Sequence, residues 1–218
     1  MPRERREFDR RSGVKDPSLI VIACEGEKTE QDYFNSISEL CDELGSRLQL
    51  KVLPPREEGH SAPRHVLDQM DKYKKEFGIK VNDELCLVID RGKQSWTEAT
   101  ISEVAQFCHA KQYILALSNP CFELWLLIHH YDVMLLGEDE KRSILRNKNG
   151  YMKSKLRDVI GQYNPSSINI HDFWGVTEIA IDRAKRLDVN PAERWPNEIG
   201  SRVYIIMEKI RQSINNQL

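Results

Sequence analysis

The chain has 218 residues, of which 40% are hydrophobic and 30% are charged, and its formal net charge at pH 7 is -2. This composition predicts a globular protein with one sizeable core, and no apolar run approaches the roughly 20 residues that a membrane helix needs. The N-terminus is too charged for a secretory signal, so we expect a cytoplasmic protein with no membrane contact. The five cysteines include no Cys-x-x-Cys pair and mostly lie in apolar stretches, which argues against disulfides and a structural zinc.

Residues 1–16 are rich in Lys and Arg without apolar periodicity, which predicts a flexible basic arm. Strand-like and helix-like segments then alternate. The predicted strands are 18–24, 48–53, 85–89 and 112–117, and the predicted helices are 29–44, 62–77 and 97–110. A fourth helix is expected to begin with Asn119 as N-cap and Pro120 as its first residue. Four strand-then-helix units predict an α/β core over 17–135, with a mostly parallel sheet of about four strands flanked by helices.

The remaining segment, 136–218, is expected to be a helical C-terminal region that packs on this core. Its candidate helices are 151–160, 177–187 and 201–214, and turn-rich loops are expected at 164–167 and 190–197. The chain contains no internal repeat.

Two acids stand where predicted strands end. Glu25 follows the first strand, and Asp90 ends the run that forms the third. Because the carboxyl ends of parallel strands share one edge of a sheet, both carboxylates can converge on one Mg²⁺. Glu25 is the firmer candidate, since an acid at the end of a buried strand loses hydration unless a cation meets it. Asp90 is alternatively a turn-initiating residue, and Gly92 leaves it without an Asp-x-Asp partner.

Two further acids and one histidine lie near the same predicted edge. Glu30 falls in the first turn of the helix after Glu25, and Glu123 falls in the first turn of the helix after Pro120. Each either joins the metal site or complements the positive N-terminus of its helix. His129 lies on an apolar helical face, and a buried core histidine is the favoured interpretation.

A basic stretch between 141 and 157 contains seven Lys and Arg residues and no acid. Such a patch can bind phosphates even on a protein without a net positive charge, although a merely solvated face remains the alternative. The candidate nucleic-acid-binding residues are Arg142, Arg146, Lys148, Lys155 and Arg157.

Three segments together, 20–30, 87–91 and 116–129, resemble the RloB-like proteins, which are related to the abortive-infection proteins; the resemblance continues through 150–153 and 180–185. It implies a Toprim-like fold, the metal-binding α/β domain of topoisomerases, bacterial primases and OLD-type nucleases. It also implies a Mg²⁺- or Mn²⁺-dependent nuclease that acts on DNA or RNA, with tRNA among the candidates, in anti-phage or abortive-infection defence. The resemblance further implies that a partner ATPase, encoded nearby, controls this nuclease.

The resemblance also assigns roles to individual residues. Glu25 would be the Toprim glutamate, a general acid or base and a metal ligand, and Asp90 would be the first acid of the aspartate motif. Glu30 would match a second acid of the OLD-type motif if one residue is inserted. Lys153, in the Gly-Tyr-x-Lys block, would stabilise charge on the scissile phosphate. Gly92 departs from the pattern, because members usually carry a second acid there.

Two other classes of function stay open. A catalytically weak Toprim-like module that binds nucleic acid or a partner is favoured by Gly92 and by the basic stretch. A phosphotransferase of the primase or topoisomerase kind is less favoured, because no zinc-binding or tyrosine-bearing cleavage domain accompanies the fold. The oligomeric state, a homodimer included, is left open by the sequence.

Overall fold

The computed structural model describes residues 18–56, 62–92, 96–161 and 163–215, so the predicted N-terminal arm lies outside the described residues. The strands are β1 (Leu19–Cys24), β2 (Gln49–Val52), β3 (Glu84–Asp90), β4 (Ile114–Asn119) and β5 (Gly200–Ser201). The helices are α1 (Thr29–Glu43), α2 (Pro63–Phe77), α3 (Glu98–Lys111), α4 (Glu123–His130), α5 (Glu138–Arg146), α6 (Tyr151–Ile160), α7 (His171–Trp174), α8 (Thr177–Leu187) and α9 (Val203–Asn215). Single 3-10 turns cover Val133–Leu135 and Lys148–Gly150.

The five strands form one sheet in the order β2-β1-β3-β4-β5. The first four run parallel, and β5 pairs antiparallel with β4. The mostly parallel α/β sheet predicted from the sequence is therefore confirmed. In its register Cys24 lies opposite Val88 and Asp90 lies opposite Ser118, which brings the carboxyl ends of β1, β3 and β4 to one edge.

Helices cover both faces of the sheet, so alternate residues of β3 belong to two different core clusters. Cys86 and Val88 belong to the core cluster that contains residues of α1, α4, α8 and α9, whereas Leu87 and Ile89 belong to the cluster formed with α2 and α3. A strand buried on both faces reads as a continuous apolar run, and that run is the signal from which β1 and β3 were predicted. Among the described residues, no helix is both long and apolar enough to cross a membrane.

Local sequence signals set most helix ends. The Thr97 side chain accepts a hydrogen bond from the Thr100 N–H at 3.2 Å, so α3 begins directly after this N-cap. Gly78, with φ +54°, ends α2 in a backbone conformation that side chains disfavour. Helices α6 and α8 have the predicted bounds, and α9 begins two residues later than predicted because Gly200–Ser201 pairs with the sheet.

The predicted start of the fourth helix is wrong. α4 begins at Glu123, and Asn119 is the last residue of β4. The Asn119 amide Nδ2 donates instead to the carbonyl oxygens of a distant loop, at 3.3, 3.0 and 2.8 Å from those of Pro196, Asn197 and Glu198. The Asn119 side chain, which its position before Pro120 predicted to be a helix cap, therefore makes a tertiary contact instead. Glu123 is the first residue of α4.

That loop is fixed by a buried ion pair. Arg202 donates from Nε to Asp188 Oδ2 at 2.9 Å and from Nη2 to Oδ1 at 3.0 Å. The Tyr204 hydroxyl adds a third donor to Asp188 at 3.1 Å, and Arg202 Nη1 donates to the Glu193 carbonyl at 2.6 Å. Every charge in this network meets a partner, so the network holds the segment between α8 and α9 against the sheet.

Candidate functional site

Glu25, at the end of β1, is held on all sides by hydrogen bonds. Its backbone N–H donates to the Val88 carbonyl at 2.8 Å, and its own carbonyl accepts from Arg56 Nη2 at 2.7 Å. The carboxylate accepts from the Asp90 backbone N–H at 3.0 Å and from Trp96 Nε1 at 2.7 Å, one donor on each oxygen. A carboxylate has about four acceptor positions, so both oxygens can still bind a further partner. Burial raises the pKa of Glu25, while the Trp96 and Asp90 N–H groups and the Arg56 charge lower it.

Asp90, at the end of β3, carries a buried carboxyl oxygen without a partner. No atom of the described residues hydrogen-bonds to its Oδ1. Burial raises the pKa of Asp90 well above its usual range, and the nearby charges of Glu30, Glu25 and Glu123 raise it further, whereas the Phe122 backbone N–H lowers it. An unpaired buried acceptor destabilises a folded protein unless a ligand, a proton or a cation satisfies it.

Glu30 reaches the same place from the first turn of α1. Its side chain is 6% exposed, and a Cβ at Gly26 would overlap its carboxylate. A side chain at position 26 would therefore displace the Glu30 carboxylate. Burial raises the pKa of Glu30 to about 7, with further contributions from Glu123 and Glu25. The backbone N–H groups of Glu30 and Gly26 lower it, as expected at a helix N-terminus, but burial and the neighbouring acids outweigh them.

Glu123 completes the group from the start of α4, where it is 8% exposed. Lys153, on α6, places its Nζ 3.9 Å from Glu123 Oε1 and remains half exposed. Asn147 fastens this part of the chain, since its Nδ2 donates to Cys121 Sγ at 3.4 Å and its Oδ1 accepts from the Met152 N–H at 3.0 Å. The acids that the sequence predicted at one sheet edge thus meet there, together with the predicted lysine. We call Glu25, Glu30, Asp90 and Glu123 the acidic edge.

The acidic edge offers hard oxygen donors but no finished cage for a metal ion. Within the described ranges, no group of three or more His, Cys, Asp or Glu side chains is arranged so that it could hold a metal. The donor chemistry nevertheless suits Mg²⁺, which keeps several waters and takes one or two carboxylates. The orphaned oxygen of Asp90 and the mutual repulsion of the four acids are what a divalent cation would relieve.

The predicted basic surface is divided by ion pairs. Lys141 pairs with Glu138 at 3.2 Å, and Arg142 pairs with Asp139. Lys155 is directed inward, 2.6 Å from Glu140 and above the Tyr131 ring at 4.4 Å. Three predicted cations are exposed and form no ion pair in the described part of the chain; they are Arg146, Lys148 and Arg157. We call these three residues the exposed cations.

His129 lies in the core, as the favoured interpretation predicts, but its buried Nε2 has no hydrogen-bond partner among the described residues. Its Nδ1 is hydrogen-bonded to the Trp125 carbonyl at 2.8 Å, and its ring packs edge-on against Phe173. Burial lowers the pKa of His129 to about 3, so the ring is neutral. His129 therefore serves packing rather than the acidic edge.

Two residues of the site were not found from the sequence. Arg56 follows the Pro54-Pro55 pair, and besides binding the Glu25 carbonyl it donates to the Cys24 carbonyl at 2.7 Å. Trp96 lies in the segment after β3 and binds the Glu25 carboxylate. In the sequence, the only signal for these two site residues is their residue type, because an arginine and a large aromatic residue each lie in a polar connecting segment.

Comparison with known proteins gives a family. The model of the RloB-like proteins matches residues 20–210, a range that contains the whole acidic edge and Lys153. No curated protein and no solved structure matches the chain. Since the match covers most of the 218 residues, the chain belongs to the RloB-like family.

Proposed function

We propose that this protein is a divalent-metal-dependent nuclease that hydrolyses phosphodiester bonds of DNA or RNA, with tRNA among its candidate substrates. The observation that carries the proposal is the acidic edge, where the buried Asp90 oxygen lacks a partner and three more acids surround it. Charge of this kind is destabilising unless a cation binds, and it stands at the strand ends, where α/β sheets bind ligands. The Toprim-like character implied by the sequence resemblance points to the same reaction.

The residues fit Mg²⁺ or Mn²⁺ as the cofactor. Asp90 and Glu25 would hold the ion directly, and Glu30 or Glu123 would contact it through the waters that complete its coordination. When bound, the ion supplies charge neutralisation at the phosphate and a more acidic water.

The chain's own groups support the remaining chemistry. Glu25 is oriented by two N–H donors, and its raised pKa brings it nearer to neutral pH, which suits a general acid or base. Lys153 lies beside Glu123 with its ammonium half exposed, where it can bind a phosphate oxygen. Arg146, Lys148 and Arg157, with Arg142 near them, would follow the nucleic-acid backbone and contribute affinity rather than sequence specificity.

A second candidate is a catalytically weak module that binds nucleic acid or a partner. Gly92 stands where a second acid is expected, and no group of three ligands is preassembled among the described residues. In this case the acidic edge would bind metal and substrate with little turnover.

One incubation series separates the two candidates. Purified protein is mixed with tRNA, single-stranded DNA and duplex DNA, each with Mg²⁺, with Mn²⁺ and with EDTA. The nuclease proposal expects cleavage that EDTA abolishes and that Glu25→Ala removes without unfolding the protein. Glu27→Ala is the matched control, because Glu27 is exposed two residues away. Binding without cleavage would favour the module, and cleavage by Glu25→Ala at the wild-type rate would overturn the assignment of Glu25.

We also propose a cytoplasmic role in anti-phage or abortive-infection defence, restrained by a partner ATPase. The support is the family resemblance and the need to restrain a nuclease that acts inside its host. Purification of the tagged protein from its native host, with and without phage, tests this idea. We expect an ATPase encoded nearby to co-purify, and its absence under both conditions would contradict the partner proposal.

A further inference from the structure

Arg91 follows Asp90 directly, at the carboxyl end of β3. Its backbone N–H donates to the Ser118 carbonyl at 2.7 Å, which fixes this position against β4. The side chain is partly exposed, and its Nη1 donates to the Trp96 carbonyl at 3.4 Å. Trp96 in turn donates from its indole Nε1 to the Glu25 carboxylate at 2.7 Å. Arg91 is therefore next to one acid of the acidic edge in sequence and is connected to another through a single residue.

The other two nitrogen atoms of the Arg91 guanidinium, Nε and Nη2, have no partner among the described residues. Neither atom donates a hydrogen bond there, and the charge forms no ion pair. Neither atom is one of the buried unpaired polar atoms, and the side chain is partly exposed, so a ligand can reach both from solvent. The N–H groups of Nε and Nη2 point along the same side of the planar guanidinium, where together they can bind two oxygen atoms of one anion.

Arg202 shows how an arginine of this fold is satisfied when all of its nitrogen atoms have partners. Its Nη1 donates to the Glu193 backbone carbonyl at 2.6 Å, while Nε and Nη2 donate to the two carboxylate oxygens of Asp188 at 2.9 and 3.0 Å. Arg91 has the first half of this arrangement, because its Nη1 also donates to a backbone carbonyl. In the described part of the chain, no anion takes the place that Asp188 has beside Arg202.

The anion that fits this place is a phosphate. Carboxylates of the protein lie at the same edge of the sheet, yet none of those in the described ranges forms an ion pair with Arg91. A phosphodiester offers two non-bridging oxygens that share a negative charge, and arginine binds such a pair with both nitrogen atoms at once. A phosphate at Arg91 would also lie beside the cation that Asp90 and Glu25 are proposed to hold, so its charge would be stabilised from two sides.

We propose that Arg91 binds the two non-bridging oxygens of a substrate phosphate through Nε and Nη2, which makes it a substrate-contacting residue beside the metal ligands. The inference rests on the proposed function, because that function supplies the phosphodiester substrate. It assigns a role to the residue between Asp90 and Gly92, and it places one phosphate-binding cation on the sheet itself, whereas Lys153 lies on a helix.

The test compares Arg91→Met and Arg91→Lys in the full-length protein, with Arg186→Met as the matched control. Arg186 is also an arginine with an exposed side chain, but it pairs with Asp132, which follows the end of α4 that is opposite to Glu123. A fluorescein-labelled single-stranded oligonucleotide is titrated in Ca²⁺, and cleavage is measured in Mg²⁺.

We expect Arg91→Met to weaken oligonucleotide binding and to slow cleavage by about tenfold, as for the loss of hydrogen bonds to a charged group. Arg91→Lys keeps the charge but not the paired N–H groups, so its affinity should lie between those of Arg91→Met and the wild-type protein. Arg186→Met should bind and cleave like the wild-type protein.

Mn²⁺ binding without nucleic acid separates a phosphate contact from a positioning role. If Arg91 acted only by holding Trp96 and through it Glu25, Arg91→Met would bind Mn²⁺ more weakly. If Arg91 binds phosphate, the Mn²⁺ affinity of Arg91→Met stays at the wild-type value or rises, because a positive charge near the cation has been removed. Weaker Mn²⁺ binding by a folded Arg91→Met would overturn the proposal. If Arg91→Met does not fold, Arg91→Lys, which can still donate to the Trp96 carbonyl, takes its place in this comparison.

The outcomes also separate this inference from the proposed function. Wild-type binding and cleavage by Arg91→Met or by Arg91→Lys would overturn the inference alone. If the wild-type protein binds the oligonucleotide but never cleaves it, the proposed function fails, and weaker binding by Arg91→Met still supports the phosphate contact. If the wild-type protein neither binds nor cleaves, both fail.

Discussion

Two regions of this protein bury acidic side chains, and they treat the charge in opposite ways. Between α8 and α9, Asp188 accepts two hydrogen bonds from Arg202 and one from Tyr204, so its charge is matched within the protein. At the acidic edge, Asp90 retains an unpaired oxygen, and the charges of Glu30, Glu25 and Glu123 raise its pKa. The first arrangement fixes a loop, whereas the second is satisfied only when something positive arrives.

The difference separates a charge that is matched within the protein from a charge that we propose binds a metal ion. A buried ion pair that is complete needs no ligand, and its removal should affect folding. Buried acids without a counter-charge lower the stability of the protein, and such sites persist where a ligand or a reaction needs them. Each change to one of these two regions is expected to leave the other region intact.

The largest effect on stability is expected from Arg202→Met, which leaves Asp188 buried and unpaired. Breaking one side of a buried pair should lower the free energy of unfolding by about 3–5 kcal/mol, measured by urea denaturation. Arg186→Met is the control, since Arg186 pairs with Asp132 at 2.8 Å with about half of its side chain exposed, and such a pair should contribute about 0–1 kcal/mol. Equal losses in the two variants would contradict the structural role of the buried pair.

The next effect is a pH dependence of stability caused by Glu30. Its pKa in the folded protein is about 7, above its ordinary value, so the folded state keeps its proton while the unfolded state releases it. Between about pH 4.5 and pH 7 the Glu30 contribution to stability should therefore fall as pH rises, by a total on the order of 3 kcal/mol.

The measurement compares urea denaturation of the wild-type protein and Glu30→Gln in EDTA across this pH range. Glu30→Gln has no proton to release, so it should become the more stable of the two as pH rises. A difference between the two proteins that does not change with pH would show that Glu30 is not strained by burial and like charge.

A smaller loss is expected from Gly26→Ala, because the added Cβ would overlap the Glu30 carboxylate. Overpacking of this kind lowers stability by about 1–3 kcal/mol. Gly175→Ala is the control, since its Cβ would meet no atom within 4 Å. In the Glu30→Ala background, the overlapped atoms are gone and Gly26→Ala should become nearly neutral; an unchanged loss there would show a different cause.

The exposed cations should have the smallest effects, and these should appear in binding rather than folding. Separate Arg146→Ala, Lys148→Ala and Arg157→Ala variants should each weaken duplex binding and reduce the slope of log K against log salt by about 0.9, provided that each cation contacts one phosphate. Lys209→Ala is the control, because Lys209 pairs with Glu84 at 2.5 Å. If all three variants have the same salt slope as the wild-type protein, the basic stretch is not part of the binding surface.

The sequence predicted the sheet edge well because its signal is local. The apolar runs that form β1 and β3 are continuous, and each ends at an acid, so the sequence alone places Glu25 and Asp90 at one edge of the sheet. α5 was not predicted, since Ile144 is the one residue of that helix that is buried and a single apolar residue shows no periodicity.

The contacts that complete the site could not be predicted, because they come from distant parts of the chain. Arg56 and Trp96 bind Glu25 across 31 and 71 residues of sequence, and each lies in a segment without a regular pattern. Asn119 shows the same limit. Its local sequence predicted a helix cap, but its side chain binds a distant loop instead. Side chains in connecting segments are placed by tertiary packing, which spacing along the chain does not encode.

The most direct measurement is Mn²⁺ binding by isothermal titration calorimetry to the wild-type protein, Asp90→Asn and Glu27→Gln, followed by competition with Mg²⁺. If the unpaired charge of the acidic edge is a metal site, the wild-type protein and Glu27→Gln bind Mn²⁺ and release it to excess Mg²⁺, whereas Asp90→Asn loses this binding while staying folded. Binding that is absent in the wild-type protein, or unchanged in a folded Asp90→Asn, would contradict the account.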